Sequence, residues 1–163
     1  MEKPTFLIAV VMERIAIQNR WQSEKWQLAG VIPDDGSMTE ARTLVEREGL
    51  LQKLHPGLLA TLFPDEAEGY FLNVTSPRPS VFVKWRMNED ESEAVPHSLT
   101  LSYNEAARWM DSQEKVESAP MPAVMFSELT AWVDANYKPP EKKKRIRPKS
   151  FESKDGRYKG GLS

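Results

Sequence analysis

No cysteine occurs anywhere in this chain of 163 residues. Disulfides, thiolate zinc centres, iron–sulfur ligation and cysteine nucleophiles are therefore excluded together. Histidine is nearly as scarce, with two in the chain. His55 stands before Pro56 and His97 after Pro96, and each reads as a lone residue of a solvated loop. The eight glycines are scattered, so no phosphate-cradling loop forms, and neither G-x-S-x-G nor H-E-x-x-H is present. A non-enzyme without cofactor or metal is the expectation. Long hydrophobic runs are missing as well. The apolar stretch Phe6–Met12 falls far short of the ~20 residues a bilayer helix needs. Glu13 and Arg14 follow it directly, with no small-residue cleavage site. A cytoplasmic protein with no membrane partner is expected.

What is present fits one globular domain over residues 5–137. Hydrophobic residues make up 40% of the chain, with five Trp, six Phe and four Tyr. That is enough for a self-sufficient core at this length. The net charge of −2 conceals a division. From Lys138 to Ser163 there are ten Lys/Arg against three Asp/Glu, so this end carries +7. The body has twelve basic residues against twenty-one acidic and carries −9. With almost nothing to pack, residues 138–163 are expected to form a basic disordered tail.

Along the body, Thr5–Ile17 is β-branched-rich and continuous rather than periodic, which favours a strand. A polar segment, Gln18–Trp26, precedes a second strand at Gln27–Ile32, and Pro33-Asp-Asp-Gly36 is turn chemistry. Ala41–Glu48 suits either a helix capped by Gly49 or a strand, with strand preferred. Leu58–Phe63 reads as another strand. Gly69–Thr75 alternates through Tyr70, Leu72 and Val74, and Val81–Met87 alternates through Val81, Val83, Trp85 and Met87. The two are expected to pair as a hairpin around the Ser76–Ser80 connector. Asn88–Ala94 is an acidic loop and Leu99–Leu101 a last short strand. Ser102-Tyr-Asn-Glu105 matches a capping box that starts a helix through Ala106, Ala107, Trp109 and Met110. A second helix should begin near Pro122, with Met125, Leu129, Trp132 and Val133 at helical spacing. The expected fold is α+β: an antiparallel sheet or partial barrel of five to six strands, followed by two C-terminal helices and the tail.

The residues most suggestive of function are the tryptophans of the polar segment. Trp21 and Trp26, with Arg20 directly before them and Arg14 further upstream, form the aromatic-plus-arginine combination that interface hot spots use. The plain alternative is that both rings merely cover one end of the sheet, and a small-molecule pocket is a third reading. In the tail, Lys142, Lys143, Lys144, Arg145 and Arg147 suit an acidic protein surface or a nucleic-acid phosphate backbone. A tail that is simply solvated remains open beside both. Glu89, Asp90, Glu91 and Glu93 suit a solubilising loop better than a cation site, which needs a fixed turn.

Six stretches together carry a resemblance: Val11–Arg14, Asn19–Trp26, Val31–Pro33, Arg78–Val83, Ser102–Ala106 and Ala119–Pro122. They resemble an uncharacterised bacterial family, a domain of unknown function usually encoded beside molybdenum- or tungsten-dependent formate dehydrogenase. The basic tail is also similar. Ser37–Leu62 and the tail length depart from the pattern. The resemblance implies an accessory or interaction protein of a cytoplasmic formate dehydrogenase, acting in assembly, maturation or as a small bound subunit. It implies a formate dehydrogenase subunit or maturation factor as partner and carries over no catalytic residue. The alternative is a nucleic-acid-binding regulator that uses the tail as an arm.

Overall fold

The computed structural model describes residues 3–140. Seven strands and three α-helices are present among them. In chain order these are β1 (Thr5–Ala16), β2 (Glu24–Pro33), β3 (Arg42–Arg47), β4 (Leu50–Thr61), α1 (Ala67–Val74), β5 (Ser80–Met87), β6 (Ala94–Thr100), α2 (Tyr103–Asp111), β7 (Lys115–Pro120) and α3 (Ala123–Asn136). The strands form two antiparallel sheets, ordered β2-β1-β4-β3 and β6-β5-β7, and neither closes into a barrel. The expectation of one sheet or partial barrel with two trailing helices is corrected accordingly. α1 falls between the sheets in sequence, and β7 separates α2 from α3.

β1 and β4 are the two central strands of the first sheet, and β1 buries Ile8, Ala9 and Val10 in succession. Ile8, Val10 and Met12 are fully buried and join Val81, Val83, Trp85 and Leu99 of the second sheet, with Leu101 just beyond it, in one apolar cluster. Each buried branched side chain of this kind contributes roughly 1.5–3 kcal/mol. β4 lies against β6 and β2 against β7. Glu117 in β7 ties that second seam: its carboxylate accepts from Trp85 Nε1 at 2.6 Å and from the Leu28 amide at 3.1 Å.

Ala41–Glu48 is the strand that was preferred over a helix, and Gly49 serves a tight turn to β4 with φ of 84°. β4 is much longer than the Leu58–Phe63 segment expected. Its polar residues have fixed partners: Gln52 Nε2 donates to Glu13 at 2.8 Å and Lys53 Nζ to Glu93 at 2.6 Å. Pro56 does not break the strand. It sits with Gly57 in a bulge opposite Ala9, where Gly57 takes φ of 81° and its amide donates to Asp34 at 2.8 Å. Proline is tolerated at such bulges because the ladder is already interrupted there. His55 and His97 are therefore strand residues, not loop residues.

The largest correction concerns Gly69–Thr75, which is not a strand: it falls in α1 and its C-cap residue Thr75. Its buried residues are Ala67, Gly69, Tyr70 and Asn73, while Leu72 is exposed. The apparent alternation thus had a helical burial pattern beneath it. Asn73 explains why. Its amide nitrogen donates to the Ser80 and Leu101 carbonyls at 2.8 Å each, and its carbonyl accepts from the Ser80 amide at 2.9 Å. A buried polar group is retained when its bonds are all made. The real hairpin joins β5 to β6 through the acidic loop, which closes by paired backbone bonds between Asn88, Glu91 and Glu93. β7 was not expected at all.

α2 begins where the capping box placed it. Ser102 Oγ accepts from the Glu105 amide at 3.0 Å. The reciprocal half differs, because Ser102 donates its hydroxyl to Glu66 at 2.6 Å and its amide to Thr100 Oγ1 at 3.0 Å. α3 starts after Pro122 and buries Met125, Leu129 and Val133 as its spacing required. Trp132 meets Tyr70 edge-on, with centroids 5.4 Å apart. The Tyr70 hydroxyl accepts from the Phe63 amide at 2.9 Å, and burial pushes its pKa up to about 12.

Candidate partner-binding surfaces

The turn between β1 and β2 holds the tryptophan segment. The Ile17 amide donates to the Ser23 carbonyl at 3.0 Å, which closes the loop across its base. Asn19 Oδ1 accepts from the Trp21 amide at 2.9 Å, an Asx turn that sets the backbone there. The Trp21 side chain is left 84% exposed, and Arg20 beside it is exposed too.

The two tryptophans are not one patch. Trp26 lies in β2, half-buried, and packs against the core. Its register partner is Arg14 in β1, whose guanidinium lies 5.9 Å from the indole centroid. Arg14 also reaches Glu24 at 3.7 Å. Arg14 and Trp26 are thus brought together and are engaged within the fold. Trp21 and Arg20 are the outward-facing pair. A small cavity of about 130 Å³ touches Arg14, Ser23, Glu24 and Gly49 below the loop. Lys142, Lys143, Lys144, Arg145 and Arg147 lie outside the described residues.

His55 is half-buried opposite Val10, and its Nε2 has no hydrogen-bond partner among the described residues. Burial lowers its pKa, Glu93 opposes that shift and Lys53 adds to it. The acidic hairpin loop is a folded turn whose Glu93 is paired with Lys53. No group of three or more His, Asp or Glu placed to hold a metal ion occurs among the described residues.

A second surface was missed from sequence. At the far end of the second sheet a groove crosses Ser80 and Ser118. One part, of about 630 Å³, is lined by Arg78, Pro79, Met121 and Phe126 among others. The other, of about 370 Å³, continues past Arg78 to Phe82 and Tyr103. Both share Arg78, Ser80 and Ser118. Tyr103 meets Phe82 edge-on with centroids 6.0 Å apart. Other cations on this outer face are satisfied. Arg86 bonds Glu114 at 2.6 Å, and Lys84 lies 3.8 Å from Glu114 and 4.7 Å from the Trp109 ring. The Arg86 bond holds the Glu114 carboxyl below its ordinary range. Arg78 is exposed and forms no ion pair among the described residues. Three of the stretches that carry the resemblance, Arg78–Val83, Ser102–Ala106 and Ala119–Pro122, meet at this groove. From sequence they read as a connector running into a strand and two helix starts, so nothing in the pattern joined them.

No helix among the described residues is long and apolar enough to cross a membrane. No curated protein and no solved structure matches the chain. Residues 7–146 match a family described as a protein of unknown function, DUF3305, and the chain belongs to that family.

Proposed function

We propose that this protein is a non-catalytic accessory protein of a cytoplasmic formate dehydrogenase, and that it engages the enzyme or one of its maturation factors through the β1–β2 turn. The observation that carries the interaction role is Trp21, an indole left 84% exposed at the end of a hairpin with an exposed arginine next to it. A tryptophan this exposed adds nothing to the core, whereas burying it in a partner's pocket supplies the kind of energy that hot spots concentrate. The Asx turn at Asn19 restricts the loop, which reduces what binding must spend on ordering. The formate dehydrogenase setting rests on the resemblance, which Asn19–Trp26 helps to carry.

The test is affinity capture of the tagged protein from its native host, comparing the natural chain with Trp21→Ala. Recovery of formate dehydrogenase subunits or maturation factors, reduced at least tenfold by the substitution while circular dichroism is unchanged, supports the proposal. Equal recovery with both chains removes Trp21 from the interface. Recovery limited to nuclease-sensitive material would favour the nucleic-acid alternative.

A further inference from the structure

We infer that the groove over Ser80 and Ser118 docks an extended peptide segment of another protein, with an aspartate or glutamate side chain of that segment set against Arg78. This surface is separate from the Trp21 turn and stands on its own observations.

The first is an open strand edge. β7 pairs only with β5 among the described strands. The Met121 amide donates to the Pro79 carbonyl at 3.0 Å, and the register pairs Ala119 with Val81 and Ser118 with Phe82. Hydrogen-bonded and non-bonded pairs alternate along an antiparallel ladder. Ala119 therefore points its amide and carbonyl at β5, whereas Ser118 points both away. Ser118 is exposed, so a donor and an acceptor are left at the outer edge of β7, the strand that borders the groove. An added strand satisfies such a pair directly.

The second is the groove's shape and lining. Its two parts share Arg78, Ser80 and Ser118, so one strip of residues borders both. Met121 and Phe126 are half-buried at one end, and Tyr103 is half-exposed at the other. Alternate side chains of an extended segment would meet these apolar surfaces.

The third is charge. Arg78 is a cation without an ion-pair partner among the described residues, and a carboxylate is the group its planar fork matches best. Arg78 belongs to both parts of the groove. A segment lying along it therefore continues on either side of the arginine, which selects an acidic side chain within the segment over a chain-terminal carboxylate.

A random dodecapeptide library, displayed with its C-termini fused, tests this against the immobilised full-length protein. Enriched sequences are then made as C-terminal amides and measured by fluorescence anisotropy. Enriched peptides should combine alternating apolar residues with one Asp or Glu. They should bind Arg78→Glu at least tenfold more weakly and Ser118→Pro several-fold more weakly, while Trp21→Ala binds as the natural chain does. The proline removes an outward-facing amide on an edge strand, where proline is tolerated, and Arg78 is exposed. Both variants should therefore keep the native circular dichroism. Failure to enrich any peptide above the bare support overturns the inference. So do peptides that bind Arg78→Glu as well as the natural chain, or that depend on Trp21 instead.

Discussion

Replacing Gly69 with alanine probes how tightly α1 and α2 are fitted. A Cβ at Gly69 would lie 2.0 Å from Ser102 Oγ, 3.0 Å from Ser102 Cβ and 3.2 Å from the Asn104 amide nitrogen. Ser102 is fully buried, and its hydroxyl is engaged on both sides, accepting from the Glu105 amide and donating to Glu66. Turning the hydroxyl aside gives up the helix cap, about 1 kcal/mol. It also gives up the bond to the carboxylate, about 1.5–3 kcal/mol. The contacts to Ser102 Cβ and to the Asn104 backbone survive that rotation, so the helices must also move apart slightly. Alanine's better helix propensity returns roughly 1 kcal/mol. The expected net destabilisation is about 2–4 kcal/mol, a fall in Tm on the order of 10 °C for a domain of this size. Urea unfolding followed by circular dichroism and tryptophan fluorescence measures it. The double variant sharpens the test. Ser102→Ala alone should cost about 2.5–4 kcal/mol, but less when Gly69→Ala has already displaced the hydroxyl. The cycle should therefore show a coupling of about 1 kcal/mol. A Gly69→Ala protein within about 0.5 kcal/mol of the natural chain, or strict additivity in the double variant, would refute the close-approach reasoning.

Asn73→Asp keeps the shape of the side chain but turns a donor to two carbonyls into a carboxylate oxygen facing them. A loss of at least about 3 kcal/mol is expected, checked by the same urea titration. His55 should make stability fall with acidity. Its folded pKa is lowered by burial from 6.5, so the stability it contributes is full above pH 6.5 and is lost as pH falls through the lowered folded value. A His55→Gln protein should show a flatter pH–stability curve between pH 7.5 and 5, and an unchanged slope would refute this. Trp21→Ala should alter stability by less than about 0.5 kcal/mol, whereas Trp26→Ala, which strips the core of a half-buried ring and Arg14 of its aromatic partner, should cost about 2 kcal/mol or more. Thermal melts of the two variants side by side decide it.

The strands that proved legible in sequence are those whose burial follows their own backbone. β1 was legible as a continuous β-branched run, with Ile8, Ala9 and Val10 all buried, and β5 by its alternation through Val81, Val83 and Trp85, and in both the residues that show this are neighbours in the chain. The start of α2 was legible for a similar reason, since Ser102 and the amide it caps are three positions apart. The turn was expected to run to Trp26, but β2 already begins at Glu24 and takes in Trp26, so the grouping of Trp21 with Trp26 was not legible. Nearness in sequence did not show that Trp26 faces inward beside Arg14 while Trp21 faces water.

By itself, then, the sequence determined the absence of thiol chemistry, the existence of β1 as a strand, the inward face of β5, the helices beginning after Ser102 and Pro122, and the division between an acidic body and a basic end. These rest on local composition, periodicity and capping, which need no distant partner. Tertiary structure decided the rest. Gly69–Thr75 alternates like a strand, yet falls in α1 and its cap because Asn73 finds Ser80 and Leu101, and because Gly69 lets Ser102 approach. β7 has little apolar pattern of its own and exists as a strand because β5 offers it a ladder and Glu117 finds Trp85 and Leu28. The groove beside Arg78 joins segments some 40 residues apart in the chain, from Arg78 to Ser118. A surface made from such distant pieces has no periodicity to read, and only the packing of the second sheet against its helices brings it into being.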